Sequence, residues 1–145
     1  MIDIVITVTG TQKDGNGEES SVQLITEGRF YNRNGVKYIV YKESENSGLE
    51  GVTTMLKIDK EQVVLVRTGN IGHKQEFLLG ERSYSRYRTP YGTMQMGIMT
   101  NYLKIALGGR AVGTLEIGYE LEIDGQWQSA NTLLISIREE SKRGH

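Results

Sequence analysis

Arg67 sits on the apolar phase of an alternating segment, two residues beyond Leu65 and four beyond Val63. A guanidinium carried into a core needs a partner, because an unpaired buried charge costs several kcal/mol. Glu43, in phase with Ile39 and Tyr41, is the expected partner. Tyr119 follows Ile117 at the same two-residue step, Asn131 precedes Leu133 and Ile135, and Tyr87 and Thr89 lead into the chain's one proline. Tyr41, Glu43, Arg67, Tyr87, Thr89, Tyr119 and Asn131 are therefore expected to line a polar pocket. In it Arg67 would grip an anionic or carbonyl group of an unknown small molecule, and the tyrosines would supply flat walls with hydroxyl handles. The ordinary alternative is a closed hydrogen-bond network that only fixes strand register. Loss of folding in an Arg67→Leu chain, without any detectable ligand, would favour that alternative.

A second constellation is Arg82, Tyr84, Arg86 and Arg88, on one phase of the segment before Pro90, with Tyr91 just beyond. Cations interleaved with rings suit single-stranded RNA or another acidic partner, the cations for phosphate and the rings for stacking. The plain reading is a solvated strand face whose arginine stems cover the tyrosine rings, and Glu81 dilutes it. Elsewhere the chain offers little chemistry. His73 and His145 make no pair with metal-ligand spacing, and His73 reads as a turn or surface histidine. There is no cysteine, hence no disulfide and no thiolate nucleophile. No G-x-S-x-G elbow is present, and no glycine loop runs into Gly-Lys-Ser/Thr. No catalytic residue, metal or cofactor is assigned, and the chain reads as non-enzymatic. An enzyme built on the inner carboxylate and arginine would have to show turnover with a strongly pH-dependent rate.

Strands must bring these residues together. Eighteen glycines stand against one proline, which favours tight turns between uninterrupted ladders. Asp14-Gly15, Asn16-Gly17, Asn34-Gly35, Gly108-Gly109 and Asp124-Gly125 are the dipeptides that two-residue hairpins prefer. Reading between breaks predicts strands near 1–11, 20–33, 36–44, 49–58, 62–69, 72–79, 81–89, 92–107, 110–123 and 126–139. Ala111, Gly113, Leu115, Ile117, Tyr119 and Leu121 share a core face, and Trp127, Leu133, Ile135 and Ile137 share another. Val63 to Val66 is apolar on both faces, as in a covered strand. Met99, Leu103 and Leu107 recur every four residues, but the alternation before them argues for continuation as β. Met94 and Met96 join Ile98 on one phase and are expected to pack in the core.

The expected architecture is all-β: one antiparallel meander of about eight to ten strands, closed into a barrel so that no edge invites aggregation. Eight strands fill their own interior and about ten leave more room. One domain over 1–140 with a loose tail at 141–145 is expected, since 145 residues can bury a core unaided. A formal charge of −1 provides no global field for nucleic acid or membrane. The N-terminal segment has no basic residues ahead of a long apolar run, and nowhere do eighteen apolar residues run together. A cytoplasmic protein, monomeric or weakly dimeric and away from membranes, is expected.

Tyr38 to Glu43, then Arg67-Thr68-Gly69, Tyr87-Arg88-Thr89-Pro90-Tyr91-Gly92, Thr100, Tyr119 and Asn131 to Ile137 occur in that order along the chain. Together they resemble the YwiB-like family of uncharacterised bacterial proteins. The Tyr-x-Thr-Pro-x-Gly segment followed by alternating methionines is the most specific part. The resemblance implies a calycin-like, lipocalin-like barrel in a small cytoplasmic bacterial protein. It supplies no activity and no catalytic residue. Barrels of that kind often hold small apolar or amphipathic molecules, but fold alone does not fix function.

Overall fold

The structure is a computed structural model that describes residues 1–43, 49–108 and 110–140. Ten strands follow one another: β1 (Ile2–Asp14), β2 (Glu19–Arg33), β3 (Val36–Lys42), β4 (Thr53–Asp59), β5 (Gln62–Thr68), β6 (His73–Leu78), β7 (Arg82–Thr89), β8 (Gly92–Leu107), β9 (Gly113–Ile123) and β10 (Gln126–Glu139). The predicted tail at 141–145, Ser44 at the end of the predicted third strand, and Gly109 of the glycine pair lie outside the described residues. Among those described there is no helix.

Turn chemistry explains the breaks. Asn34 and Gly35 both take positive φ, 56° and 86°, as do Asp124 and Gly125 at 50° and 84°, the pair that a right-twisted two-residue hairpin requires. The β4–β5 turn uses Lys60 at φ 51°, with no dipeptide signal to announce it.

The strands form one antiparallel sheet in the order β6-β5-β4-β3-β2-β1-β10-β9-β8-β7. Every ladder joins neighbours in sequence except the one between β1 and β10, which closes the curl. The barrel is nearly complete. Between β6 and β7 there is no ladder, only one bridge, Gly72 to Arg88. Inside, Ile4, Ile6, Phe30, Leu56, Leu115 and Ile117 are among the fully buried side chains. Ten strands leave room by count, and these apolar side chains fill part of it.

Two bulges correct the sequence reading of faces. In β8 the register shifts between Thr100 and Tyr102, so the inner phase passes from Ile98 and Thr100 to Leu103 and Leu107. That extra residue leaves Met99 on the outer phase while Leu103 and Leu107 face inward, so the three residues spaced by four do not share a side. In β10 the register shifts between Trp127 and Ser129. Trp127 is thereby turned outward, 48% exposed, and its indole Nε1 donates to Glu120 Oε1 at 3.0 Å. Met94, at the open tip of the β7–β8 hairpin, is exposed as well, while Ile98 two turns of the pleat away is buried.

Candidate functional site

One row of inward-facing polar residues crosses four strands. Tyr41 on β3 lies opposite Thr54 on β4, Thr54 opposite Arg67 on β5, and Arg67 opposite His73 on β6. Glu43 extends the row just past the end of β3, held by its amide donating to the Val52 carbonyl at 2.8 Å. Gly28 makes the row possible. It faces Tyr41 across β2 and β3, and the space its side chain would fill is taken by Ile6 and the Val40 carbonyl.

Thr54 is the hinge of the charges. Its hydroxyl donates to Glu43 Oε2 at 2.5 Å and accepts from Arg67 Nε at 3.4 Å. Arg67 Nε stands 3.8 Å from the same Glu43 oxygen, with the glutamate side chain 3% exposed and the arginine 24%. The expected Glu43–Arg67 pair is therefore present, though loose. Arg67 makes no hydrogen bond through its terminal Nη groups among the described residues. Burial first, then the Glu43 carboxylate, push the Tyr41 hydroxyl far above its usual range. Burial also raises Tyr119, whose ring packs on Phe77 with centroids 5.2 Å apart.

His73 is buried, not the surface or turn residue the sequence implied. Burial, and then the charge of Arg67, lower its imidazole to about 4, while a polar contact with Gln75 acts weakly the other way. It is neutral at physiological pH. Its ring meets Tyr87 edge-on at 5.1 Å, and its Nε2 is 3.1 Å from Ser85 Oγ. Ser85 gives its single proton to Gln75 Oε1 at 2.7 Å. With that assignment Nε2 is the donor toward Ser85, which leaves Nδ1 as a buried nitrogen without a hydrogen-bond partner among the described residues. In this arrangement His73 donates to Ser85 and does not accept its proton. Gln75 Nε2 completes the group by donating to Ser83 Oγ at 3.3 Å.

Of the seven residues expected in the pocket, Tyr41, Glu43 and Arg67 form its centre, Tyr119 feels the Arg67 charge, and Tyr87 joins through His73. Thr89 departs from the expectation. Its hydroxyl donates to the Gly92 carbonyl and accepts from the Tyr91 amide, both at 3.1 Å, which ties off the β7–β8 turn. Asn131 also turns aside, donating to the Ser129 carbonyl and hydroxyl at 3.3 and 3.0 Å next to the β10 bulge. Thr54, His73, Gln75, Ser83 and Ser85 were not anticipated. For two of them a signal existed: His73 and Gln75 alternate with Phe77, whose burial marks the inner phase.

The family model described as Domain of unknown function (DUF1934) matches residues 6–135. The chain belongs to this family. It is 20% identical over 123 residues to the uncharacterized beta-barrel protein YwiB of Bacillus subtilis (strain 168), covering 85% of this chain and 84% of YwiB. The crystal structure of the ywiB protein from Bacillus subtilis aligns with a TM-score of 0.81 over 97% of this chain and 93% of that one, at 19% identity. That likeness speaks to the barrel and not to an activity.

In this member of the YwiB-like family, the polar row opens on a cavity of about 160 Å³ between its apolar walls Val8, Leu24, Leu56 and Leu133 and the polar groups of Tyr41, Glu43 and Arg67. Gly10 also lines it, and nothing lies within 4 Å of where a Gly10 side chain would begin. The outer face of β7 matches its reading: Arg82, Tyr84, Arg86 and Arg88 are exposed and Tyr91 is 99% exposed. Arg82 is engaged, its Nη1 lying 3.1 Å from Glu122 Oε1.

Proposed function

We propose that this protein is a non-enzymatic binder that takes a small molecule into the cavity at the Glu43–Arg67 end of the barrel. The observation that carries this reading is the unengaged end of Arg67. A mostly desolvated guanidinium whose Nη donors meet no partner among the described residues, beside an apolar hollow, is a site for one oxygen-bearing group, here a carboxylate or carbonyl. Glu43 sets the specificity, because its buried carboxylate repels a second anionic group and leaves a place for a donor. A volume of about 160 Å³ is close to that of an engineered cavity that holds one aromatic ring (roughly 150 Å³) and below the usual range for drug-sized ligands (roughly 300–1,000 Å³). The ligand is thus small, about the size of one ring with a polar head. The absence of an activated nucleophile at Ser85 favours binding over turnover. The reading takes the protein as cytoplasmic and as a monomer or weak homodimer, and the lipocalin-like analogy supports it at the level of fold.

Native mass spectrometry of protein purified from a bacterial host, followed by denaturation, tests the reading. A small molecule should accompany the wild type. It should be absent from Gly10→Val, which adds methyl groups to the hollow without touching Arg67. Equal ligand loading in Gly10→Val would sink the cavity site.

A second reading rests on the exposure of Tyr84, Arg86, Arg88 and Tyr91 on one outer strand, which suits single-stranded RNA or an acidic partner. Its signature is affinity that falls steeply with salt, whereas ligand occupancy of the inner cavity should change little between 50 and 200 mM salt, a range over which screening grows mainly for exposed charges.

A further inference from the structure

We infer that the seam between β6 and β7 accepts an extended acidic segment of a partner protein as an added strand. This goes beyond the cavity reading and narrows the second reading, on which it rests, to one class of partner. The bridge at Gly72 and Arg88 sets the register, each amide donating to the other carbonyl at 3.0 and 2.9 Å. Continued along both strands, that register puts Lys74 opposite Arg86 and Glu76 opposite Tyr84, the pairs that would exchange backbone hydrogen bonds. No ladder forms there. The strands are held instead by inner side chains, Ser85 to Gln75 at 2.7 Å, His73 to Ser85 at 3.1 Å and Gln75 to Ser83 at 3.3 Å. Two strand edges thus face each other without strand partners, the feature that β-augmentation uses, and among the described residues the Glu76 carbonyl is met only by the Gln75 side chain, whose Nε2 donates to it at 3.0 Å.

Over the seam lies a groove of about 630 Å³ whose outer lining includes Lys74, Arg86 and Arg88 against one acid, Glu76, and which reaches in to His73, Ser83, Ser85 and the inward Arg67. A strand seated in the seam presents alternate side chains to the two faces. Those turned outward meet Lys74, Arg86 and Arg88, and carboxylates satisfy them. Those turned inward meet His73, Ser83 and Ser85, where small hydroxyl residues fit. The occupant is therefore a segment with an acid at every second position and small polar residues between. A nucleic acid satisfies the cations but has no run of amide donors and carbonyl acceptors at peptide spacing to pair with the edges. Entry of the strand replaces the lone Gly72–Arg88 bridge and the side-chain stitches with ladders on both sides.

The test uses a fluorescein-labelled, end-capped octapeptide alternating glutamate with threonine, read by anisotropy at low salt on the full chain. Its control carries N-methyl groups on the threonine amides, which keeps the charge and removes ladder donors. A second control is the double variant Gly72→Cys/Arg88→Cys, the only cysteine pair in a protein that has none, measured oxidised and reduced. We expect saturable binding, about tenfold weaker for the N-methylated peptide and about tenfold weaker for the oxidised than for the reduced variant. The reduced form serves as the check on folding and on the lost arginine. Absence of saturable binding, equal affinity for the N-methylated peptide, or equal affinity of the oxidised and reduced forms overturns the inference. If decauridylate RNA binds and the peptide does not, the strand inference fails while the exposed arginine and tyrosine face stands. Gly10→Val should bind the peptide like wild type, so failure here and failure of the cavity reading are separable.

Discussion

Glu43 is out of water while Arg67 keeps a quarter of its side chain in it, so the two ends of the pair are not equivalent on removal. Taking away the arginine strands a buried carboxylate, and Arg67→Leu should cost about 2–4 kcal/mol, toward the low side of the cost of breaking a buried pair because this one is loose. Arg67→Leu combined with Glu43→Leu should recover most of that loss. Urea denaturation midpoints check both, and a double variant no more stable than the single would show that Glu43 does not depend on the pair. His73 yields a pH signature. Its unfolded imidazole takes a proton from about 6.5 downward and the folded one only near 4. Unfolding therefore takes up a proton between those values, and stability is fully present above pH 6.5 and lost as pH falls toward 4. The loss is about 3 kcal/mol, and a His73→Gln chain should lack that part of the slope. The pairing of Glu43 with Arg67 was legible because both interrupt an apolar phase. His73 was missed although it alternates with Gln75 and Phe77, because in a six-residue strand that begins at a polar residue after a turn Phe77 is the one apolar marker of the inner phase. Ser83 and Ser85 were hidden because β7 is polar on both phases.

At the scale of elements, all ten strands could be read, because most turns carry residues that tolerate positive φ and the ladders between them alternate cleanly. The bulges could not. A bulge adds one residue and exchanges inside for outside without any composition of its own, so Trp127 was placed in the core and the outward Met99 shared a phase with the inward Leu103 and Leu107. The β8 bulge should be indispensable: deleting Asn101 would rotate one half of the strand relative to the other and expose either Ile98 and Thr100 or Leu103 and Leu107. We expect that chain to lose cooperative unfolding in urea, and a sharp transition would show that the bulge is dispensable. Gly28→Ala is a milder test of how closely β2 approaches the polar row. Its added methyl meets Ile6 Cδ1 and the Val40 carbonyl oxygen, each at 2.5 Å, and the overpacking should cost about 2 kcal/mol in the denaturation midpoint.

Over the whole molecule, the barrel reads as predicted, while its incompleteness and the filling of its interior do not, because neither depends on strand count alone. The seam should be visible in solution. Amides of Lys74, Glu76, Tyr84 and Arg86 should exchange with solvent faster than those in the middle of β1 and β10, which sit at the centre of the sheet with ladders on both sides. Equal protection would mean the seam is closed in solution. The order of the ladders has one more consequence, for how the chain finds its fold. Among the described residues, eight of the nine ladders are hairpins between consecutive strands, and only β1 with β10 spans the sequence. That one pairing must wait for the largest loop closure, so it is expected to set the folding rate. A circular permutant that links the paired outer ends of β1 and β10 and opens the chain at the Leu79–Glu81 turn, beside the unladdered seam, would run β7 to β10 and then β1 to β6. Its sequence order would equal its order in the sheet, every ladder would become local, and it should refold faster than the natural connectivity while reaching the same barrel.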